Sequence, residues 1–145
     1  MKKVIFLGAL SLICAATVNA AQPREISSDK VAQAEFKKMT LNKNLPAWVK
    51  QGGTTSETKS VTIAGKQYLV FSSCKPHDCA SEQIATLYSP TTKAMSSVYS
   101  VVNDKTATQQ LKWMTNQPEI SIAGKTVLLA ALTGALENYP QKFNF

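Results

Sequence analysis

Lys59-Ser60-Val61-Thr62-Ile63-Ala64-Gly65-Lys66-Gln67-Tyr68-Leu69-Val70-Phe71 reads as a β-hairpin. Polar and apolar residues alternate over 59–63, β-branched and aromatic residues fill both arms, and Ala64-Gly65 is a two-residue turn between them. A second hairpin follows. Residues 83–88 run into Ser89-Pro90-Thr91-Thr92 and return over 94–101. Strands this close in sequence usually pair with their neighbours, which gives an antiparallel meander. The connection between the hairpins is Cys74-Lys75-Pro76-His77-Asp78-Cys79. It falls at a protruding corner of the sheet.

On the N-terminal side, Ser28-Asp29 can cap a helix running to about residue 42. Its expected buried side is Val31, Ala34, Phe36 and Met39. Leu45-Pro46-Ala47-Trp48-Val49 predicts a short helical turn that buries Trp48, ended by Gly52-Gly53. On the C-terminal side, Asp104 predicts a capped helix through 113–114, with Leu111 and Met114 inward. Ile120-Ser121-Ile122 is a short strand candidate. Residues 126–138 predict a second helix with an apolar side of Val127, Leu128, Ala131, Leu132 and Leu136. Pro140 stops it, and Phe143 and Phe145 pack the tail. Ile63-Ala64-Gly65-Lys66 and Ile122-Ala123-Gly124-Lys125 read as the same turn chemistry used twice. The expected fold is α+β, a single domain with a central antiparallel β-sheet flanked by N- and C-terminal helices.

Targeting sets the redox state of the cysteines. Met1-Lys2-Lys3 is a basic start, residues 4–18 carry no charge, and Val18-Asn19-Ala20 offers small residues to a signal peptidase. The expected organisation is a signal peptide over 1–20, a flexible lead over 21–27 and one domain over 28–145. The apolar run is short for a membrane span, so no membrane insertion is expected after cleavage. Cys14 leaves with the signal, because Leu12-Ile13 is too bulky for a lipoprotein motif. Cys74 and Cys79 remain in an exported, oxidising compartment, where a disulfide is the default.

The chain carries a formal charge of +7 and stays basic without Lys2 and Lys3. Its lysines are scattered, Arg24 is its one arginine, and no basic–aromatic motif appears, which argues against nucleic acid. The basic surface reads as solvated, with attraction to anionic envelope surfaces as the sharper option.

Closing the six-residue loop with a disulfide stabilises the fold by only about 2 kcal/mol. The local effect is larger: the bond and Pro76 remove loop conformers before any partner is met. From the residues alone several readings compete. The plainest is a stapled connection with solvated polar residues. A zinc site would use Cys74, His77 and Cys79 but lacks a visible fourth ligand. A thiol-redox centre usually separates its cysteines by two residues, and here there are four. A recognition loop would present Lys75, Pro76, His77 and Asp78. Catalysis is weakly signalled: adjacent His77 and Asp78 need not form a dyad, and Ser72-Ser73 near His77 carry no nucleophile motif. The sequence assigns no catalytic residue, cofactor or metal.

The residues also resemble a known family. Cys74-Lys75-Pro76-His77-Asp78-Cys79 is similar to the signature loop of the inhibitor of vertebrate lysozyme (Ivy) family. Leu45-Pro46-Ala47-Trp48-Val49 with Gly52-Gly53 resembles a flanking segment of that family. So does Gly124-Lys125-Thr126-Val127-Leu128, leading to Ala130-Ala131-Leu132-Thr133-Gly134 and Leu136-Glu137-Asn138. The segments come in the same order, and the likeness covers the chain from about Ser28 onward. The resemblance implies a noncovalent, non-enzymatic inhibitor of c-type lysozyme that protects periplasmic peptidoglycan. It implies that the loop enters the cleft and that His77 meets the two catalytic carboxylates, with Lys75 adding positive charge, Pro76 fixing shape and Asp78 accepting hydrogen bonds. The cell's own lytic transglycosylases are a second target class, a homodimer is a family option, and direct peptidoglycan binding is a competing function.

Overall fold

A computed structural model describes residues 28–145. The signal peptide read over 1–20, its Cys14, and the lead over 21–27 lie outside the described residues. The elements run α1 (Lys30–Thr40), α2 (Ala47–Gln51), β1 (Thr54–Thr55), β2 (Lys59–Ile63), β3 (Lys66–Cys74), β4 (Glu82–Tyr88), β5 (Met95–Asn103) and β6 (Thr108–Thr115). Helices α3 (Ile122–Leu132) and α4 (Ala135–Asn138) and a 3₁₀ turn (Pro140–Phe143) complete the chain. The six strands form one antiparallel sheet in the order β1-β3-β4-β5-β6, with β2 also paired to β3. Both predicted hairpins and the α+β class are present. Ala64 (φ 49°) and Gly65 (φ 73°) turn the first hairpin in the left-handed region that such tight turns require.

Alternation along the strands divides the core in two. Leu69, Ile84, Tyr88, Met95 and Met114 face one side, where Ala32 and Met39 of α1 and Val49 of α2 cover them. Val61, Val70, Leu87 and Val98 face the other, under Val127 and Leu128 of α3 and Leu136 of α4. The helices from the two ends of the chain therefore cover opposite faces. Each fully buried Val, Leu or Met side chain contributes roughly 1.5–3 kcal/mol of transfer free energy. Among the described residues, no helix is long and apolar enough to cross a membrane.

Several expectations are corrected. In α1, Ala32, Met39 and Thr40 are buried while Val31 and Ala34 are exposed. At about 100° per residue, Ala32, Phe36 and Met39 share one stripe, and Ala34 lies on the opposite side. Trp48 is half-buried rather than buried. Residues 108–115 form strand β6, not a helix, and Leu111 is 37% exposed. Asn103, not Asp104, organises the start: its Oδ1 accepts from the backbone N–H groups of Lys105 (3.1 Å) and Thr106 (3.3 Å), which turns the chain back along β5.

The 120–122 strand is absent. Ser121 caps α3 instead, its Oγ accepting from the Gly124 N–H at 3.1 Å. The two Ile-Ala-Gly-Lys runs therefore do different jobs, one a hairpin turn and one the first turn of a helix. The long 126–138 helix breaks at Gly134, whose φ of 75° is left-handed, and α4 ends at Asn138, before Pro140 opens the 3₁₀ turn. Phe143 packs on the second core cluster, but the Phe145 side chain is 53% exposed. Its backbone pairs with β2: the Phe145 N–H donates to Thr62 O (2.8 Å), and its carbonyl accepts from Ala64 N (2.7 Å).

Candidate functional site

The β3–β4 connection protrudes as expected. Its base continues the ladder by one rung, the Lys75 N–H donating to Glu82 O at 3.0 Å beyond the pair Cys74↔Gln83. Cys74 and Cys79 are joined, with Cα atoms 4.7 Å apart. At the tip, the Asp78 N–H donates to Lys75 O at 3.0 Å across Pro76 and His77. His77 has φ 64°. Proline at the second position and a left-handed residue at the third make the combination of a type II turn, with histidine where glycine is usual. The Asp78 carbonyl then accepts from the N–H groups of Ser81 (3.2 Å) and Glu82 (3.3 Å), and the Ser81 carbonyl accepts from Val102 on β5 (2.8 Å). The Gln83 side chain donates to Cys79 O at 2.7 Å. Backbone N–H groups at residues 75, 78, 81 and 82 are thus all engaged within or against the loop.

The predicted site residues part into two kinds. Pro76 and His77 are exposed, and among the described residues nothing hydrogen-bonds or ion-pairs with the His77 imidazole. Lys75 and Asp78 face one another instead. The Lys75 ammonium lies 3.1 Å from Asp78 Oδ2 and 2.7 Å from Glu82 Oε1. The other Glu82 oxygen, Oε2, accepts from the Trp48 indole N–H (2.9 Å) and the Tyr99 hydroxyl (2.8 Å). The Trp48 and Tyr99 rings meet at 6.2 Å and 48°.

Charge follows this geometry. The Lys75 ammonium, then Trp48, hold the Glu82 carboxyl below its ordinary range. Ser81 and then Lys75 do the same for Asp78. The two carboxylates push Lys75 up. Partial burial, reinforced by the Glu82 charge, keeps the Tyr99 phenol protonated well past its usual range.

Glu82, Trp48 and Tyr99 are the site residues the sequence reading missed. A signal existed for Glu82: it mirrors Lys75 across the hairpin, so opposite charges face each other at the loop base. Trp48 reaches it because Gly52 (φ 89°) ends α2 and Gly53 then passes against the loop. A Cβ at residue 53 would collide with the Cys74 carbonyl oxygen and touch the Trp48 ring at 3.0 Å.

The remaining chemistries find no geometry here. The Ser72 hydroxyl bonds to Ser56 (3.2 Å) and the Ser73 hydroxyl to Thr55 (3.0 Å), neither to His77. With both cysteines in the disulfide, no thiolate is left at the loop to hold zinc. Among the described residues no cluster of three or more His, Cys, Asp or Glu is placed to hold a metal ion.

Comparison with known proteins gives consistent matches. The family model described as Inhibitor of vertebrate lysozyme (Ivy) matches residues 31–119. The inhibitor of vertebrate lysozyme of Escherichia coli (strain K12) is 41% identical over 138 residues, covering 93% of this chain and 88% of that protein. The protein of the same name in Escherichia coli O157:H7 gives the same figures. An uncharacterized protein of Yersinia pestis is 36% identical over 83 residues, 56% of this chain and 54% of its own length.

Proposed function

This chain belongs to the inhibitor of vertebrate lysozyme family, and on that premise we propose that it inhibits c-type lysozyme noncovalently, inserting the Cys74–Cys79 loop with His77 into the active-site cleft. One observation carries the reading: an exposed Pro76–His77 tip on a loop fixed by a disulfide and its own hydrogen bonds. A tip ordered in advance loses little entropy on docking. Lysozyme places a protonated glutamic acid and an ionised aspartate in one cleft. An imidazole can donate to one and accept from the other, or donate to both as imidazolium. No bond is made or broken, so the role is inhibitory and not enzymatic. The proposed compartment is the periplasm, reached through the signal read over 1–20, and the proposed benefit is protection of peptidoglycan.

The test is inhibition of a c-type lysozyme on peptidoglycan by residues 21–145, beside His77→Ala and His77→Gly. Alanine at φ 64° is strained whereas glycine is not, so the glycine variant removes the imidazole and keeps the turn. Both folded variants should lose at least about tenfold in inhibition, as expected for a central anchor. Full inhibition by His77→Gly would move the energy to other contacts. No inhibition by the wild type would sink this target and turn attention to the cell's own lytic transglycosylases, which act on the same glycan bond.

A further inference from the structure

We propose that Glu82 is a positioning residue of the inhibitory loop, drawing Lys75 inward so that Pro76 and His77 carry recognition while Lys75 stays off the partner's carboxylates. The inference rests on the inhibitory reading above and deepens it. Lys75 stands next to the tip and looks like a cation aimed at an acidic cleft, but its ammonium is already engaged by two carboxylates at 2.7 and 3.1 Å. Glu82 in turn is held by three elements at once: the loop through Lys75, α2 through Trp48, and β5 through Tyr99. For Lys75 to reach a partner, it would have to leave both carboxylates. Glu82 would then keep only its two neutral donors, Trp48 and Tyr99, and lose its one charged partner. Lys75, Asp78 and Glu82 together carry one net negative charge, so the loop offers an acidic cleft no free cation except a protonated His77. The low-set Glu82 and Asp78 carboxyls and the raised Lys75 agree with this arrangement.

A double-mutant cycle on lysozyme inhibition tests it, using Lys75→Met, Glu82→Gln and both together. Glu82→Gln alone should weaken inhibition about tenfold, by loosening the loop under His77. Lys75→Met should add little in the Glu82→Gln background, because the two act as one unit. If Lys75→Met costs as much there as in the wild type, Lys75 touches the partner and the proposal fails. Amide hydrogen exchange on the free protein gives a second readout, independent of any target. Glu82→Gln should speed exchange at Asp78, Ser81 and residue 82 well beyond any rise in the β4–β5 ladder. Unchanged loop exchange overturns the brace, and a uniform rise across the sheet would mean Glu82 merely stabilises the fold. Should the wild type not inhibit lysozyme, the exchange result still decides the brace, so the two failures are separable.

Discussion

At the scale of single residues, Glu82 illustrates how one carboxylate can couple three elements without deep burial. Its side chain is 19% exposed and that of Lys75 is 39% exposed, so solvent screens much of their attraction. The pH dependence has a definite sign. Glu82 is lowered from its ordinary 4.5, so its contribution is fully present above that value and is lost as pH falls through the folded-state value. Wild type and Glu82→Gln should therefore differ in urea stability by on the order of 1 kcal/mol at neutral pH. The gap should narrow in acid, as pH falls below that ordinary value and through the lowered one. A gap that widens as pH falls would contradict the direction of the shift. His77 shows the other side of residue-scale design. It occupies a left-handed position at some conformational cost, which fits a residue placed for what it presents and not for what it packs against.

At the scale of elements, the caps separate what the chain encodes locally from what the sheet imposes. Asp29 Oδ1 accepts from the N–H groups of Val31 (2.9 Å) and Ala32 (3.1 Å), so Asp29→Ala should cost about 1 kcal/mol in urea unfolding. Asp104→Ala should stay within about 0.5 kcal/mol, because residue 104 sits in an exposed turn and caps no helix. Equal costs would contradict the exposed-turn position of residue 104. Both hairpins, the first helix, the loop and its disulfide were legible in the sequence, because turn chemistry, alternation and a capping aspartate are local signals. Strand β6 was not. The Leu111–Met114 spacing suits a helix, and the opposing fact is non-local: β5 offers eight consecutive partners along its free edge. The start of α3 was misplaced for a related reason, since Ile120-Ser121-Ile122 fits a strand until Ser121 is seen capping Gly124. Within the site, the exposed tip was legible and the brace beneath it was not. Glu82, Trp48 and Tyr99 lie 34 and 17 residues apart along the chain and meet only once the sheet forms.

At the scale of the whole molecule, charge works against the proposed encounter. This chain is basic, and vertebrate lysozymes are basic too, so long-range steering is unfavourable and affinity must come from local fit. Added salt should then speed association slightly, by screening the repulsion. A strong slowing in stopped-flow measurements would show that attraction between opposite charges dominates after all. The tail that pairs with β2 has a separate consequence. It occupies the outer rim of that strand at Thr62 and Ala64, while among the described residues no strand lies beyond β6 at the opposite rim. The two rims of the sheet are therefore unequal, the β2 rim partly covered by the tail and the β6 rim open along its length. By closing part of β2, the C-terminal residues act as a guard that shields that rim from edge-to-edge growth.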